Sequence, residues 1–276
     1  MELYAPAKIN LSFEIKGRRE DGYHEIETLI APVSVSDRLV IEEEKSSEDI
    51  HFRCNEPSLD SEENLVVRAV HIFRNATKIR AGVQITLEKK IPHGAGLGGG
   101  SSDAATTLVG LNQLFRAGLS REDLLKLSAR IGSDVPFFIF RGAAICRGRG
   151  EIVQPTQLPQ QLALLLVKPD FGVSTPWAYK NWAASRELDG VKYRAQEFFG
   201  MRWMNDLERP VFEKFVFLAH LKKWLLLQPE VGAALLSGSG STVFAVLRER
   251  ANPDLAERIR ADVDPKIWTY SCEMLS

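Results

Sequence analysis

Apolar and polar positions alternate along parts of this chain with the period of a strand and elsewhere repeat with the period of a helix. KINLSFEI (8–15) alternates in part, and IETLIAPVSVSDRLVIEEE (26–44) carries β-branched runs interrupted at Pro32 and Asp37. The first fifty residues are therefore predicted to be strands, broken at those two positions. ENLVVRAVHIFRNA (63–76) then sets Leu65, Val66, Ala69, Val70 and Phe73 at helical spacing, with Asp60 or Ser61 placed to cap it. GVQITLEKKIP (82–92) returns to strand.

SSDAATTLVGLNQLF reads as a helix from about Ser101, closed by Gly118, and Ser120 with Asp123 forms a capping pattern for EDLLKLSARI (122–131). Farther on, LALLLVKP is a buried-type strand, STPWAYKNWAA a short helix, and VGAALLSGSGSTVFAVLRER a strand, a glycine turn and a strand. NPDLAERIRADV is a helix and KIWTYSCEML a last strand. No repeat appears at solenoid periods. The mixed pattern predicts an α+β protein of two lobes, 1–155 and 156–276, divided near the loop from Pro155 to Pro159.

Composition narrows what such a fold can do. Lysine and arginine total 35 against 36 acids, a net charge of -1, so no global field favours nucleic acid or an anionic membrane. MELYAPAKIN lacks a basic segment followed by an apolar one, and LALLLV is too short to span a bilayer. Cys54, Cys146 and Cys272 lie far apart without zinc spacing. The expectation is a reduced, cytoplasmic protein that binds any anion locally.

PHGAGLGGGSS (92–102) is the local candidate, with five glycines among the seven residues Gly94 to Gly100 between a strand and a helix. A helix start presents unpaired N–H groups and partial positive charge, and glycines let a phosphate approach the backbone. No Lys-Ser or Lys-Thr follows, which excludes a Walker A loop. Gly94, Gly96 and Gly99 satisfy G-x-G-x-x-G, but the preceding region is not a βαβ unit. A helix-opening turn capped by Ser101 is the plain alternative.

PHGAGLGGGSSDAA resembles the second motif of the GHMP kinase superfamily, APAKINL (5–11) its first, and LLSGSGSTVFAV (235–246) its third. DGYHEIETL (21–29), GSDVPFFI (132–139), ENL (63–65), STPWAYK (174–180) and WMNDLE (203–208) resemble the branch whose acceptor is 4-diphosphocytidyl-2-C-methyl-D-erythritol, in the non-mevalonate isoprenoid route. The resemblance implies the GHMP kinase fold: an N-terminal lobe like ribosomal protein S5 domain 2, a smaller C-terminal α/β lobe, and an active site between them. It also implies ATP and Mg2+ as cofactors and a small-molecule partner, with no nucleic acid or membrane.

Site residues follow from the same resemblance. Lys8 and Asp134 match the catalytic lysine and aspartate. Pro92, His93, Gly94, Ala95, Gly96, Leu97, Gly98, Gly99, Gly100, Ser101 and Ser102 match the phosphate loop, with the two serine hydroxyls facing phosphate or magnesium, and Asn64 matches the border of the adenine. Tyr23 and His24 match a cytosine-binding pair, completed by Tyr179. Asn10 and Thr175 match positions for the polyol and phosphates, and Gly238, Ser239 and Gly240 a loop that closes the cleft. Asp103 is placed to support a magnesium ion from behind its ligands, and no metal ligand is assigned. Without the resemblance, Lys8 reads as a strand lysine facing solvent, Asp134 as a loop aspartate, Tyr23 as a turn tyrosine and His24 as a surface histidine. A mevalonate or homoserine kinase, a silent binding module of this fold, and a dinucleotide oxidoreductase are the competing functions. DGYHEI argues against the first pair, and Lys8 with Asp134 against the second.

Overall fold

A computed structural model describes residues 1–249 and 253–275. Its two opening strands, β1 (Glu2–Arg18) and β2 (His24–Glu44), pair antiparallel over almost their whole length. Pro32 and Asp37 do not break β2, contrary to the sequence expectation. Register shifts between Pro6 and Ala7 and between Asn10 and Ser12 bend the ribbon instead. Neither residue is left with an uncompensated polar group: the Pro32 carbonyl accepts from Leu275 N–H at 2.8 Å, and the Asp37 carboxylate accepts from Lys90 and Ile91.

β2 is long because each of its halves has a further partner. Ile26 to Ile30 pair with β5 (Ala144–Gly148), and Arg38 to Glu44 with β4 (Gly82–Glu88). β3 (Ile50–Cys54) lies parallel to β4, and β6 (Ile152–Pro155) pairs with β5. β8 (Gln196–Phe198) and β9 (Met201–Asn205) complete this first sheet from far along the chain, with β9 parallel to β1 at Ser12 and Phe13. The second sheet is antiparallel and runs β10 (Val231–Leu236), β11 (Val243–Leu247), β7 (Ala163–Lys168), β12 (Trp268–Glu273).

Helices cover the outer faces. α1 (Leu65–Thr77) is capped by Asn64, whose Oδ1 accepts from Val66 N–H at 2.9 Å. The expected caps fail because Asp60 is engaged by Cys54 N–H at 3.2 Å and Ser61 lies a turn too early. Replacing Asn64 with alanine is expected to cost about 1 kcal/mol, read as a lower urea midpoint at unchanged slope.

α2 (Gly99–Leu114) starts two residues before the predicted Ser101, behind a left-handed Gly98, and ends well short of Gly118. Asn112 and Leu119 exchange two hydrogen bonds at 3.0 Å across the intervening turn, so Gly118 belongs to that turn. α3 (Arg121–Ala129) has the predicted capping box of Ser120 and Asp123, and α4 (Val135–Phe140) follows directly. α5 (Thr175–Asn181), α6 (Glu208–Lys214), α7 (Val216–Leu226) and α8 (Pro253–Asp262) surround the second sheet. Asn252, in the predicted last helix, lies outside the described residues.

Three apolar clusters hold these layers. α1 to α4 pack on the first sheet through Val66, Phe73, Leu108 and Phe137, and α5 to α8 on the second through Ala178, Phe212, Leu221 and Leu255. Between the sheets, Ala7, Ile9 and Leu11 of β1 meet Leu164, Leu166, Leu235 and Phe244. Burial of this area is the main favourable term in folding. Among the described residues the three cysteines are free, and no helix is long and apolar enough to cross a membrane.

Candidate active site

Strand alternation decides which β1 side chains reach chemistry. Ala7, Ile9 and Leu11 point into the core between the sheets, so Lys8 and Asn10 point the other way, beneath the glycine loop. Lys8 is 4% exposed, which rules out a solvent-facing strand lysine. Its Nζ donates to Asn10 Oδ1 at 2.7 Å and to the Gly96 carbonyl at 3.0 Å, and lies 4.0 Å from Asp134 Oδ2. Burial lowers the Lys8 pKa, against the opposing pull of Asp134. Asn10 in turn donates to Thr28 Oγ1 at 2.8 Å, and Thr28 donates to the Ser12 carbonyl at 2.6 Å. The lysine is thus held in one place, while the Asp134 side chain, 46% exposed at the start of α4, can meet a ligand.

The glycines are used for close approach. Gly94, Gly96 and Gly98 all have positive φ, and a Cβ on Gly96 would stand 2.1 Å from the Ser237 carbonyl. The loop is pinned through its middle: Lys8 N–H donates to Leu97 O at 2.9 Å, Ser237 Oγ to Gly96 O at 3.0 Å, and Thr242 N–H to Ala95 O at 3.2 Å. It ends at α2, whose first N–H groups have no partner within the helix. Facing it, the β10–β11 loop brings Gly238 so near that a Cβ there would be 3.3 Å from Lys8 Nζ. Asn205 at the end of β9 fixes that loop, donating to the carbonyls of Leu236 and Gly238 at 2.8 and 2.7 Å.

These surfaces enclose a cleft of about 420 Å3. Of the residues expected from sequence, Lys8, Asn10, Asn64, Pro92 to Ser101, Asp134, Thr175, Tyr179, Gly238 and Ser239 line it, as does Asp103. Asn64 shows only part of its surface, because its amide also donates to Leu59 O at 2.9 Å while its oxygen caps α1. Thr175 Oγ1 and Ser239 Oγ are 2.7 Å apart. Ser102 is a correction: its N–H donates to Gly98 O at 2.9 Å and its hydroxyl is wholly buried, because the second residue past Gly100 has already turned into the helix interior. Gly240 is not on the cleft wall.

Tyr23 and His24 also stand off that wall and join it through neighbours. His24 stacks on Tyr179, ring centres 5.3 Å apart, with Trp182 edge-on at 6.1 Å. Burial, then the charge of Arg18, lowers the His24 pKa, and burial raises that of Tyr179. Tyr23, 54% exposed, lies under the Arg149 guanidinium at 4.8 Å. Sequence reasoning missed Arg149, Thr28 and Lys89 on the cleft wall. A lysine just before a glycine loop is a usable signal for an anion site; Thr28 and Arg149 become visible only once β2 and β5 are paired.

A buried ammonium beside an accessible carboxylate, under a loop of free amides, suits transfer of an anionic phosphoryl group to an alcohol. For a magnesium ion the fit is to one carried by phosphates: on the cleft wall Asp103 Oδ1 has no partner, and among the described residues no cluster of three or more His, Cys, Asp or Glu could hold a metal alone.

The chain is similar to known proteins over nearly its whole length. The profile for the GHMP kinases N terminal domain matches residues 64–142, and that for GHMP kinases C terminal matches residues 196–266. A 4-diphosphocytidyl-2-C-methyl-D-erythritol kinase of Methylacidiphilum infernorum (isolate V4) is 41% identical, covering 99% of this chain and 96% of its own. One from Thermodesulfovibrio yellowstonii is 39% identical, covering 91% and 90%. A crystal structure of 4-(cytidine 5'-diphospho)-2C-methyl-D-erythritol kinase superposes with a TM-score of 0.82 at 36% identity, covering 100% of both chains.

Proposed function

The chain belongs to the 4-diphosphocytidyl-2-C-methyl-D-erythritol kinase family of GHMP kinases, and from that premise we propose how its cleft works. It is a small-molecule kinase that uses ATP to phosphorylate 4-diphosphocytidyl-2-C-methyl-D-erythritol on the route to isoprenoid precursors. The hydroxyl phosphorylated is that at position 2, and the setting is the cytoplasm, with a free small molecule as the partner. The lobes that shape the cleft divide near Pro155, with β8 and β9 returning to the first sheet.

The observation that carries the mechanism is Lys8, fixed and buried, 4.0 Å from Asp134 beneath the glycine loop. Gly94 to Ser101 hold the ATP phosphates through backbone amides, with the nucleoside end toward Leu59, Asn64 and Leu65. Asp103 and Ser101 would hold magnesium alongside the phosphates, where it supplies charge neutralisation across the transferred group. The acceptor enters from the side of Tyr179. Tyr23, His24 and Tyr179 read the cytosine by stacking and hydrogen bonding, while Asn10, Thr175 and the Gly238 to Gly240 loop set the diphosphate and polyol.

The acceptor oxygen forms its bond to the γ-phosphorus as the bond to the β-bridging oxygen breaks, leaving ADP. Asp134 orients the hydroxyl and takes its proton, and Lys8 stabilises charge on the moving phosphoryl group. ADP release measured with magnesium-ATP tests this reading. Turnover is expected with the cytidyl substrate and not with methylerythritol lacking the cytidyl group. Asp134→Ala should lower kcat about 10²–10⁴-fold. Equal turnover of both acceptors would overturn the cytosine assignment, and an undiminished variant would overturn the role of Asp134.

A further inference from the structure

Under the glycine loop lies a buried charge cluster of which Lys89 and Asp103 reach the cleft and Asp37 does not. Asp37 on β2 is 0% exposed and Asp103 in α2 is 2% exposed. Lys89 stands between them, its Nζ donating to Asp37 Oδ2 and, at 2.7 Å, to Asp103 Oδ2. The second oxygen of Asp37 accepts the N–H groups of Lys90 and Ile91 at 2.6 and 2.8 Å. Lys89 to Ile91 lead into the loop at Pro92, and Asp103 lies in the first turns after it. One carboxylate therefore gathers both ends of the glycine-rich segment.

We propose that Asp37 is a positioning residue for the nucleotide loop, fastening its incoming end directly and its outgoing helix through Lys89. The inference rests on reading Gly94 to Ser101 as the ATP cradle. Five glycines in seven residues lose more backbone freedom on ordering than any other composition would, so the loop needs fixed ends to present its amides at one spacing. The bonds of Lys8, Ser237 and Thr242 hold only its middle. Asp37 holds the incoming end through three charge-assisted hydrogen bonds, the strong class of such contacts, and Lys89 extends that hold to α2 through Asp103. It is also absent from the cleft wall, whereas Lys89 and Asp103 line it, so Asp37 is the member of the cluster whose replacement separates positioning from contact.

Two variants test this, with ATP and the cytidyl acceptor varied in turn. Asp37→Asn keeps an oxygen for the two amides and loses the carboxylate that orders Lys89. It is expected to raise KM for ATP roughly tenfold, the scale of one charge-assisted hydrogen bond, with KM for the acceptor and kcat at saturating ATP changed less than about threefold. Asp37→Ala, which also frees the amides, should raise KM for ATP further with the same selectivity. An unchanged KM for ATP in both variants, or equal rises in both KM values, overturns the proposal. If Asp37→Ala does not fold, Asp37→Asn decides by the same criterion. Wild-type protein that fails to saturate with ATP would instead overturn the ATP reading of the loop.

Discussion

Lys8→Met is expected to lower kcat by about 10²–10³-fold while KM for ATP moves little. Methionine fills nearly the same volume, so the packing of β1 survives and only the ammonium is lost. In the free protein that ammonium bonds Asn10 Oδ1 and Gly96 O; in the variant Gly96 O keeps the Ser237 hydroxyl, and the Asn10 amide keeps its bond to Thr28 Oγ1. Its third proton is free for a phosphoryl oxygen, where charge grows only in the transition state. Steady-state kinetics separate the outcomes. A rise in KM at unchanged kcat would make Lys8 a ground-state phosphate binder.

The same group gives a pH signature. Burial holds its pKa below that of a free lysine, and in the proposed mechanism the charged form is the active one. Activity expressed as kcat/KM, which reports the free enzyme, should therefore fall on the alkaline side with a midpoint below the ordinary lysine value. An alkaline limb at or above that value would show that Lys8 is not the group that titrates.

The largest stability effect is expected at a pair off the cleft wall, at Lys222→Met. Lys222 of α7 and Glu208 of α6 have side chains 1% exposed and meet at 2.6 Å. Glu208 also accepts the Leu236 N–H at 3.0 Å, and Lys222 donates to the Lys192 carbonyl at 2.6 Å. Removing the lysine strands a carboxylate in the second lobe and should cost about 3–5 kcal/mol. Burial already raises the Glu208 pKa, so the folded form holds the proton more tightly than the unfolded chain does. Without Lys222 stability should fall as pH rises above the unfolded carboxylate value, and be best preserved in acid. Adding Glu208→Gln, which keeps an acceptor for Leu236, should recover much of the loss. Urea denaturation at two pH values checks this; a loss below about 1 kcal/mol would place the pair with weak surface bridges.

Asn205, Glu208 and the β10–β11 loop show why such scaffolding matters to the site. Gly238 approaches Lys8 because Asn205 holds its carbonyl and Glu208 holds Leu236, the residue that leads into the turn. WMNDLE thus contributes support for the acceptor side of the cleft, a role its composition does not announce.

Features that depend on near neighbours could be read from the chain alone. Alternation in KINLSFEI, the spacing of Val66, Val70 and Phe73, and the box of Ser120 with Asp123 each encode their element within a few residues. The glycine loop was equally legible, because positive φ and close backbone approach select glycine locally. Features that depend on distant partners emerge only in the folded chain. Pro32 and Asp37 sit inside a continuous β2 because β1 bends with them and Lys90, Ile91 and Leu275 satisfy nearby groups. Gln196 to Asn205 become strands because β1 offers a free edge. Ser102 turned away from the cleft because α2 begins at Gly99, ahead of the serine pair, and carries its hydroxyl inward. Lys8 is held by Asn10 nearby in sequence but also by Gly96, and it meets Asp134 only when β1, the loop and α4 converge. Side-chain type and local spacing fix an element; the charge that a buried group must meet is supplied by whatever the fold brings beside it.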